Sequence, residues 1–225
     1  MLTPINILKK IPLFSSLSES DQQNLTSLLR RKLLGKGEHL FRQGDEGTAL
    51  YIIVQGRIKI SLSKRADNVT LAILGQGEFL GEMALLDELP RSADAIALEE
   101  TQLYILNRKD FLSFLAGNTH TVYAILNSLS RRLRRMDDQL AEMCFLNLSA
   151  RLAKQLVELA ETQNPGGDPK ACDLNISQQE LGNILGASRE SINKELKILR
   201  DKGVVETSRN SIRILDLEAL RKRMP

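Results

Sequence analysis

The chain has 225 residues, a net charge of +3 and an apolar content of 42%. That is an ordinary globular mix, long enough for one or two cores. No apolar run approaches the roughly 18 residues of a membrane span. The two distant cysteines, without a CxxC companion, argue against a disulfide framework, a zinc site or a four-cysteine cluster.

At the N-terminus the lysines follow a short apolar run and no small-residue cleavage pattern is present. No signal peptide is expected, and hence a cytoplasmic protein with no membrane partner. Residues 5–14 mix apolar side chains with Lys9 and Lys10 and stop at Pro12. Ser18–Asp21 then offers an N-cap to a short helix through Leu25, Leu28 and Leu29. The helix is expected to close on Arg30–Lys32, where cations suit the dipole.

From Lys32 the period changes to two. Short strands are expected at Leu33–Leu34, His39–Phe41, Ala49–Val54, Arg57–Leu62, Val69–Leu74 and Gln102–Leu106. Glycine-rich turns separate most of them, among them Gly44–Gly47 and Gly75–Gly77, and Ala66–Asn68 makes another. Many short strands with turns at this density indicate a β barrel or double-sheet jelly roll, a common ligand container.

Gly77–Ala93 breaks the strand rhythm. Gly81 permits a close backbone approach, and Glu82–Leu86 makes a helical turn whose free amides suit an anion. Pro90 stops the turn, and Arg91 and Ser92 follow as the chain returns to strand. An arginine and a hydroxyl beside such a turn suit phosphate. Glu82 would repel phosphate and needs another task, such as accepting from a sugar hydroxyl. The same spacing also suits an Arg91–Glu82 surface pair.

Val122, Leu126, Leu129, Leu133, Met136, Leu140 and Met143 follow at spacings of four and three, an unbroken a/d seam. A helix from about Phe111 to Met143 is expected. The seam alone would run roughly 33 Å, and its narrowness favours pairing with a second copy over packing on its own core. Cys144 beside it reads as a small buried apolar residue. His39 and His120 have no evident acid or base partner.

Leu148–Leu159 continues as a helix, and Asn164–Pro169 is a loop. Ser177 and Glu180 form a capping box that opens a helix, Gly186 turns the chain, and Ser188 caps a second helix, Arg189–Asp201. Ile192, Leu196 and Leu199 form its buried stripe, leaving Arg189, Glu190, Asn193, Lys194 and Lys197 outward. Val204–Ile214 reads as a hairpin. Cap, glycine turn, cap and hairpin together fit a winged helix-turn-helix that binds DNA.

Gly81–Ala84 with Pro90–Ala93 resembles the phosphate-binding cassette of cyclic-nucleotide-binding domains, as do the turns at Phe41–Gly47 and Tyr51–Gly56. With the long helix and Ser188–Lys194, the whole chain resembles the catabolite-activator (CRP/FNR) family of bacterial transcription regulators. The resemblance implies an α+β protein: a β jelly-roll effector domain over 1–110, a dimerisation helix and hinge over 111–147, and a winged helix-turn-helix over 148–225. Arg91 would pair with a cyclic phosphate, bonded also by Ser92 and the amides of Met83 and Ala84. Gly81 would allow the approach, and Glu82 would accept from the ribose 2′-hydroxyl. Where adenine-binding members carry Thr-Ser, this chain has Met136 and Asp137. Met136 is apolar, and Asp137 could accept from an exocyclic amine. Arg132 is a further candidate contact.

At the DNA, Arg189 and Glu190 would read base edges and Lys194 would contact guanine as a point charge. Gln179, Ser188, Arg209 and Asn210 would hold phosphates. The expected function is a homodimeric, sequence-specific DNA-binding regulator of a pseudo-palindromic operator, hinged at Asn147 and a partner of RNA polymerase. Its expected effector is a cyclic nucleotide, cyclic AMP before cyclic GMP. Neither catalysis, a required cofactor nor a metal is expected. One alternative is a family member that senses another effector or binds DNA constitutively. The other is a cupin-like metal enzyme, which would need clustered ligands that His39 and His120 do not supply.

Overall fold

A computed structural model describes residues 11, 14, 17–64, 67–163, 172–208 and 210–224. The segment of Lys9, Lys10 and Pro12, the turn residue Ala66, the 164–169 loop and the candidate contact Arg209 lie outside the described residues. The chain forms two compact units, divided, apart from the hairpin tip Lys64–Thr70, between Arg134 and Arg135.

Among the described residues the first element of the first unit is helix α1, Glu19–Leu28, capped by the Ser18 hydroxyl, which accepts from the Asp21 amide. It does not close on the basic run as expected. Leu29 is already extended, and Arg30–Leu34 is strand β1, paired antiparallel with Thr101–Asn107. A ladder of backbone bonds from a distant strand outweighs the weak dipole term that suggested a helical turn.

Strands β2 (His39–Phe41), β3 (Ala49–Gln55), β4 (Ile58–Lys64) and β5 (Asp67–Leu74) follow as expected within a residue or two. Then come β6 (Phe79–Leu80), the short helix α2 (Glu82–Leu86), β7 (Asp94–Ala97) and β8 (Thr101–Asn107). Two four-stranded sheets result, ordered β1-β8-β3-β6 and β2-β7-β4-β5. Leu34, Ile53, Ile58, Leu80, Ala95 and Leu103 form one apolar cluster of this roll. A second cluster gathers Leu25, Leu50, Ile52, Phe79 and Tyr104 with Phe111 and Ile125 from the helices that follow. Burying each such large side chain is worth about 1.5–3 kcal/mol.

The expected single helix over 111–143 is two helices, α3 (Arg108–Gly117) and α4 (Thr119–Phe145). Asn118 between them is non-helical, and its side chain donates back to the Phe114 carbonyl. Gly117 and Asn118 are poor helix formers side by side, and the unbroken apolar seam further on masks them. Helix α4 turns Thr121 and Ile125 inward, with Val122 and Leu129 half-buried. Five seam residues, Leu126, Leu133, Met136, Leu140 and Met143, remain 52–63% exposed in the single chain. Cys144 is exposed, not buried, beside the exposed seam residue Met143.

The second unit continues with α5 (Leu148–Gln163), β9 (Cys172–Leu174), α6 (Gln178–Leu185), α7 (Arg189–Asp201), β10 (Val205–Thr207), β11 (Ile212–Ile214) and α8 (Leu217–Arg221). Its core joins Leu152 and Leu156 of α5 to Leu181, Ile192, Leu196 and Leu220. The hairpin is a three-stranded sheet, since β9 pairs with β11. Strand β9 and helix α8 are too short to show a period in the sequence.

Candidate functional site

In the β-roll, Arg91, 4% exposed, is placed by backbone bonds on both sides. Its amide donates to the Asp45 carbonyl at 2.8 Å, and its carbonyl accepts from the Gly44 amide at 2.9 Å. The turn after β2 therefore clamps the chain just after α2. The guanidinium donates through Nη1 to the Gly81 carbonyl and through Nη2 to the Ala49 carbonyl, both at 2.7 Å. It lies over the rings of Phe41 (4.4 Å) and Tyr51 (5.5 Å), contacts that stabilise a desolvated cation. Its Nε is buried without a hydrogen-bond partner. Burial is the main cause that pushes the Arg91 pKa below its ordinary value, partly offset by Tyr51, Glu82 and Asp45. It stays a cation at neutral pH, and among the described residues it forms no carboxylate ion pair.

The alternative Arg91–Glu82 surface pair is not what forms. Glu82 is buried and pairs with Arg132 of α4, Nη1 to Oε1, at 2.7 Å. Arg132 also donates to the Phe79 carbonyl and lies 4.9 Å over the Phe79 ring. Glu82 Oε2 has no partner. Gly81 has φ of 87°, and a Cβ there would come within 2.5 Å of Arg91 Nη1.

Arg91, Ser92, Glu82 and Arg132 share one cleft with the backbone of Gly81, Met83 and Ala84. Its cavity volume is about 90 Å³, and about 440 Å³ of empty space is present when the part open to solvent is included. Apolar side chains such as Phe41, Ile60 and Leu74 line the rest. Ser92 is exposed, with Oγ 3.9 Å from Met83 Sδ. A buried cation beside two first-turn amides, with a buried carboxylate oxygen lacking a donor, suits an anionic group that also carries a hydroxyl. Sequence spacing does not reveal that the Ala49 and Phe79 carbonyls anchor the two arginines, because backbone acceptors leave no residue-type signal. Met136 and Asp137 lie beyond Arg132 on α4, both exposed.

In the second unit, the expected caps are present. Ser177 and Glu180 make the capping box of α6, Gly186 turns in the left-handed region at φ of 61°, and the Ser188 hydroxyl accepts from the Ser191 amide to start α7. Gly182 is required by closeness: a Cβ there would meet the Ala187 carbonyl at 2.7 Å. Ile192, Leu196 and Leu199 of α7 face inward. Gln179, Ser188, Arg189, Glu190, Asn193, Lys194 and Lys197 are exposed. Arg200 extends the exposed basic face of α7, a residue the sequence reading did not single out. Asn210 is exposed between β10 and β11.

Residues 31–118 match the family model of the cyclic nucleotide-binding domain, and residues 150–223 match the Crp-like helix-turn-helix domain. The cyclic AMP receptor protein of Thermus thermophilus is 33% identical over 214 residues, spanning 95% of this chain and 96% of that protein. A CRP-like cAMP-activated global transcriptional regulator of Mycobacterium tuberculosis is 33% identical over 224 residues, spanning 96% and 98%. The fold resembles that of the c-di-GMP-responsive regulator CLP of Xanthomonas campestris, with a TM-score of 0.80 at 23% identity over 88% of this chain and 99% of that one.

Proposed function

Because this chain belongs to the CRP/FNR family of transcription regulators, we propose that a cyclic nucleotide in the Arg91 cleft controls its binding to DNA. Its domains and relatives are those of regulators and not of enzymes, which removes the cupin-like reading. Cyclic AMP is the first candidate effector, in keeping with the names of the Thermus and Mycobacterium relatives, and cyclic GMP the second.

The observation that carries the reading is the buried Arg91 guanidinium, held by carbonyls and without a carboxylate ion pair among the described residues. A cyclic phosphate would supply the missing charge, with Ser92 and the amides of Met83 and Ala84 as further donors. The ribose 2′-hydroxyl would donate to Glu82, whose Oε2 lacks a donor. Arg132 would keep its ion pair with Glu82 and lie beside the phosphate. Met136 and Asp137 would lie near the base.

The protein would act in the cytoplasm as a homodimer, paired along Val122, Leu126, Leu129, Leu133, Met136, Leu140 and Met143. Two α7 helices would then enter successive major grooves of a pseudo-palindrome. Arg189 and Glu190 would read guanine and cytosine edges, with Lys194 beside them. Gln179, Ser188, Arg209 and Asn210 would contact phosphates, and RNA polymerase would be the downstream partner. The effector acts by binding more tightly to the arrangement that fits DNA.

Calorimetric titration with cyclic AMP and cyclic GMP, followed by DNA binding with and without each, tests the reading. Arg91→Leu should weaken effector binding about hundredfold, the loss of two charge-assisted bonds. Met136, apolar and 63% exposed where a base edge would be read, favours one second reading: another effector, or constitutive DNA binding. Unchanged regulation in Arg91→Leu would support it.

A further inference from the structure

We infer that the ion pair between Glu88 and Arg108 positions the effector site, by tying the link between α2 and Arg91 to the first turn of α3. The inference rests on the cyclic-nucleotide reading of the Arg91 cleft and adds to it two positioning residues that do not line that cleft.

Only Asp87, Glu88, Leu89 and Pro90 join the end of α2 to Arg91. This link therefore spaces the α2 amides from the Arg91 side chain, the two groups proposed to hold a cyclic phosphate. Within it Glu88 has φ of 62°, the one non-glycine residue in the left-handed region among the described residues. Glycine, and after it asparagine, is the ordinary choice there, and a glutamate is strained. Such strain persists only where the surroundings impose it. Two contacts do so. The Asp87 carboxylate accepts from the Leu89 amide at 3.0 Å and closes a turn over Glu88. The Glu88 carboxylate accepts from Arg108 Nη2.

Arg108 is a fixed anchor. It is the first residue of α3, and its amide donates to the Thr48 carbonyl at 2.9 Å. One turn on, Phe111 is fully buried in the cluster that also holds Leu85 of α2. Arg108 Nε lies 3.5 Å from the Leu85 carbonyl. Thr48 ends the turn whose Gly44 and Asp45 clamp the Arg91 backbone. That turn also presses on α2, since a Cβ at Gly47 would come within 2.4 Å of Ala84 Cβ. Arg108 is thus tied to α2 and its link directly, and to Arg91 through the turn. As a surface pair alone, with side chains 38% and 74% exposed, the contact would add little to stability. That account leaves the strained glutamate unexplained, because glycine would adopt the same φ freely.

The test separates affinity from stability in the full-length chain. Glu88→Gly removes the carboxylate and suits the backbone, so it should melt no lower than wild type. It should still bind cyclic AMP or cyclic GMP, whichever the wild type takes, about two- to fivefold more weakly, the range of an exposed charge pair. Arg108→Met should weaken binding to a similar extent, and Arg108→Lys, which keeps the charge, should retain most of it. The double variant Glu88→Gly/Arg108→Met should lose no more than the greater single loss, because both changes remove the same contact. Calorimetric titration with each nucleotide reads affinity, and thermal melting reads stability. Wild-type affinity in both single variants, losses that add in the double, or losses that follow the melting temperature overturn the positioning role and leave the effector reading standing. A wild-type chain that binds neither nucleotide overturns both.

Discussion

A guanidinium as buried as that of Arg91 ordinarily finds a carboxylate. Here two backbone carbonyls and two ring faces hold it, and the clamp from the turn at Gly44 and Asp45 fixes its backbone. The closeness of Gly81 to Nη1 makes that glycine part of the arrangement. Gly81→Ala would need a side chain at φ of 87° and would push Arg91 away. It should lower stability by about 1–3 kcal/mol and weaken effector binding, read by thermal melting and calorimetry. At the DNA face, Arg189 is exposed at the first position of α7. As a base-reading residue, its replacement in Arg189→Ala should cost about 1–3 kcal/mol in DNA binding and relax preference at one base position. A uniform loss across all sequences would instead mark Arg189 as a phosphate contact. These positions were legible in the sequence because their residue types are chemically distinctive. The partnership of Glu82 with Arg132 was not, since fifty residues separate them.

Among elements, the step from α4 to α5 is where structure adds most. The helices break at Leu146 and Asn147, and the Asn147 side chain accepts from the Ala150 amide to start α5. Glu142 at the end of α4 forms an ion pair with Lys154 of α5 across the break. That hydrogen bond is the leading cause that raises the Lys154 pKa above its ordinary 10.5. Folding therefore favours the protonated amine. The contribution is fully present below the ordinary lysine value and fades as pH rises through the higher folded value. Wild type should melt at a higher temperature than Lys154→Met at neutral pH, and the gap should narrow above about pH 10.5, the ordinary lysine range. The pair is partly exposed, so the gap should be small. A gap that widens with pH would contradict this assignment.

For the whole molecule, control by an effector is a coupling free energy, and such coupling is reciprocal. If cyclic AMP tightens operator binding by some factor, operator DNA must tighten cyclic AMP binding by the same factor, typically about 5–150-fold. Titrating cyclic AMP with and without operator DNA, at one fixed salt concentration, measures it. Equal affinities in both titrations, together with effector-independent DNA binding, would point to the constitutive reading. Salt must be held constant because phosphate contacts release counterions and dominate the salt response.

The sequence by itself determined the order of modules, most strands, the caps of α6 and α7 and the apolar seam. These are local signals: a period of two, a glycine that permits a left-handed turn, a serine that caps, a repeat of seven. Only the tertiary structure decided that Arg30–Lys32 is strand and not helix end, that α3 and α4 part at Asn118, and that Cys144 faces outward. It also decided that Arg91 rests on carbonyls while Glu82 belongs to Arg132. Such outcomes depend on which distant backbone and which distant charge arrive at the same place, and nothing in a local run of residues encodes that.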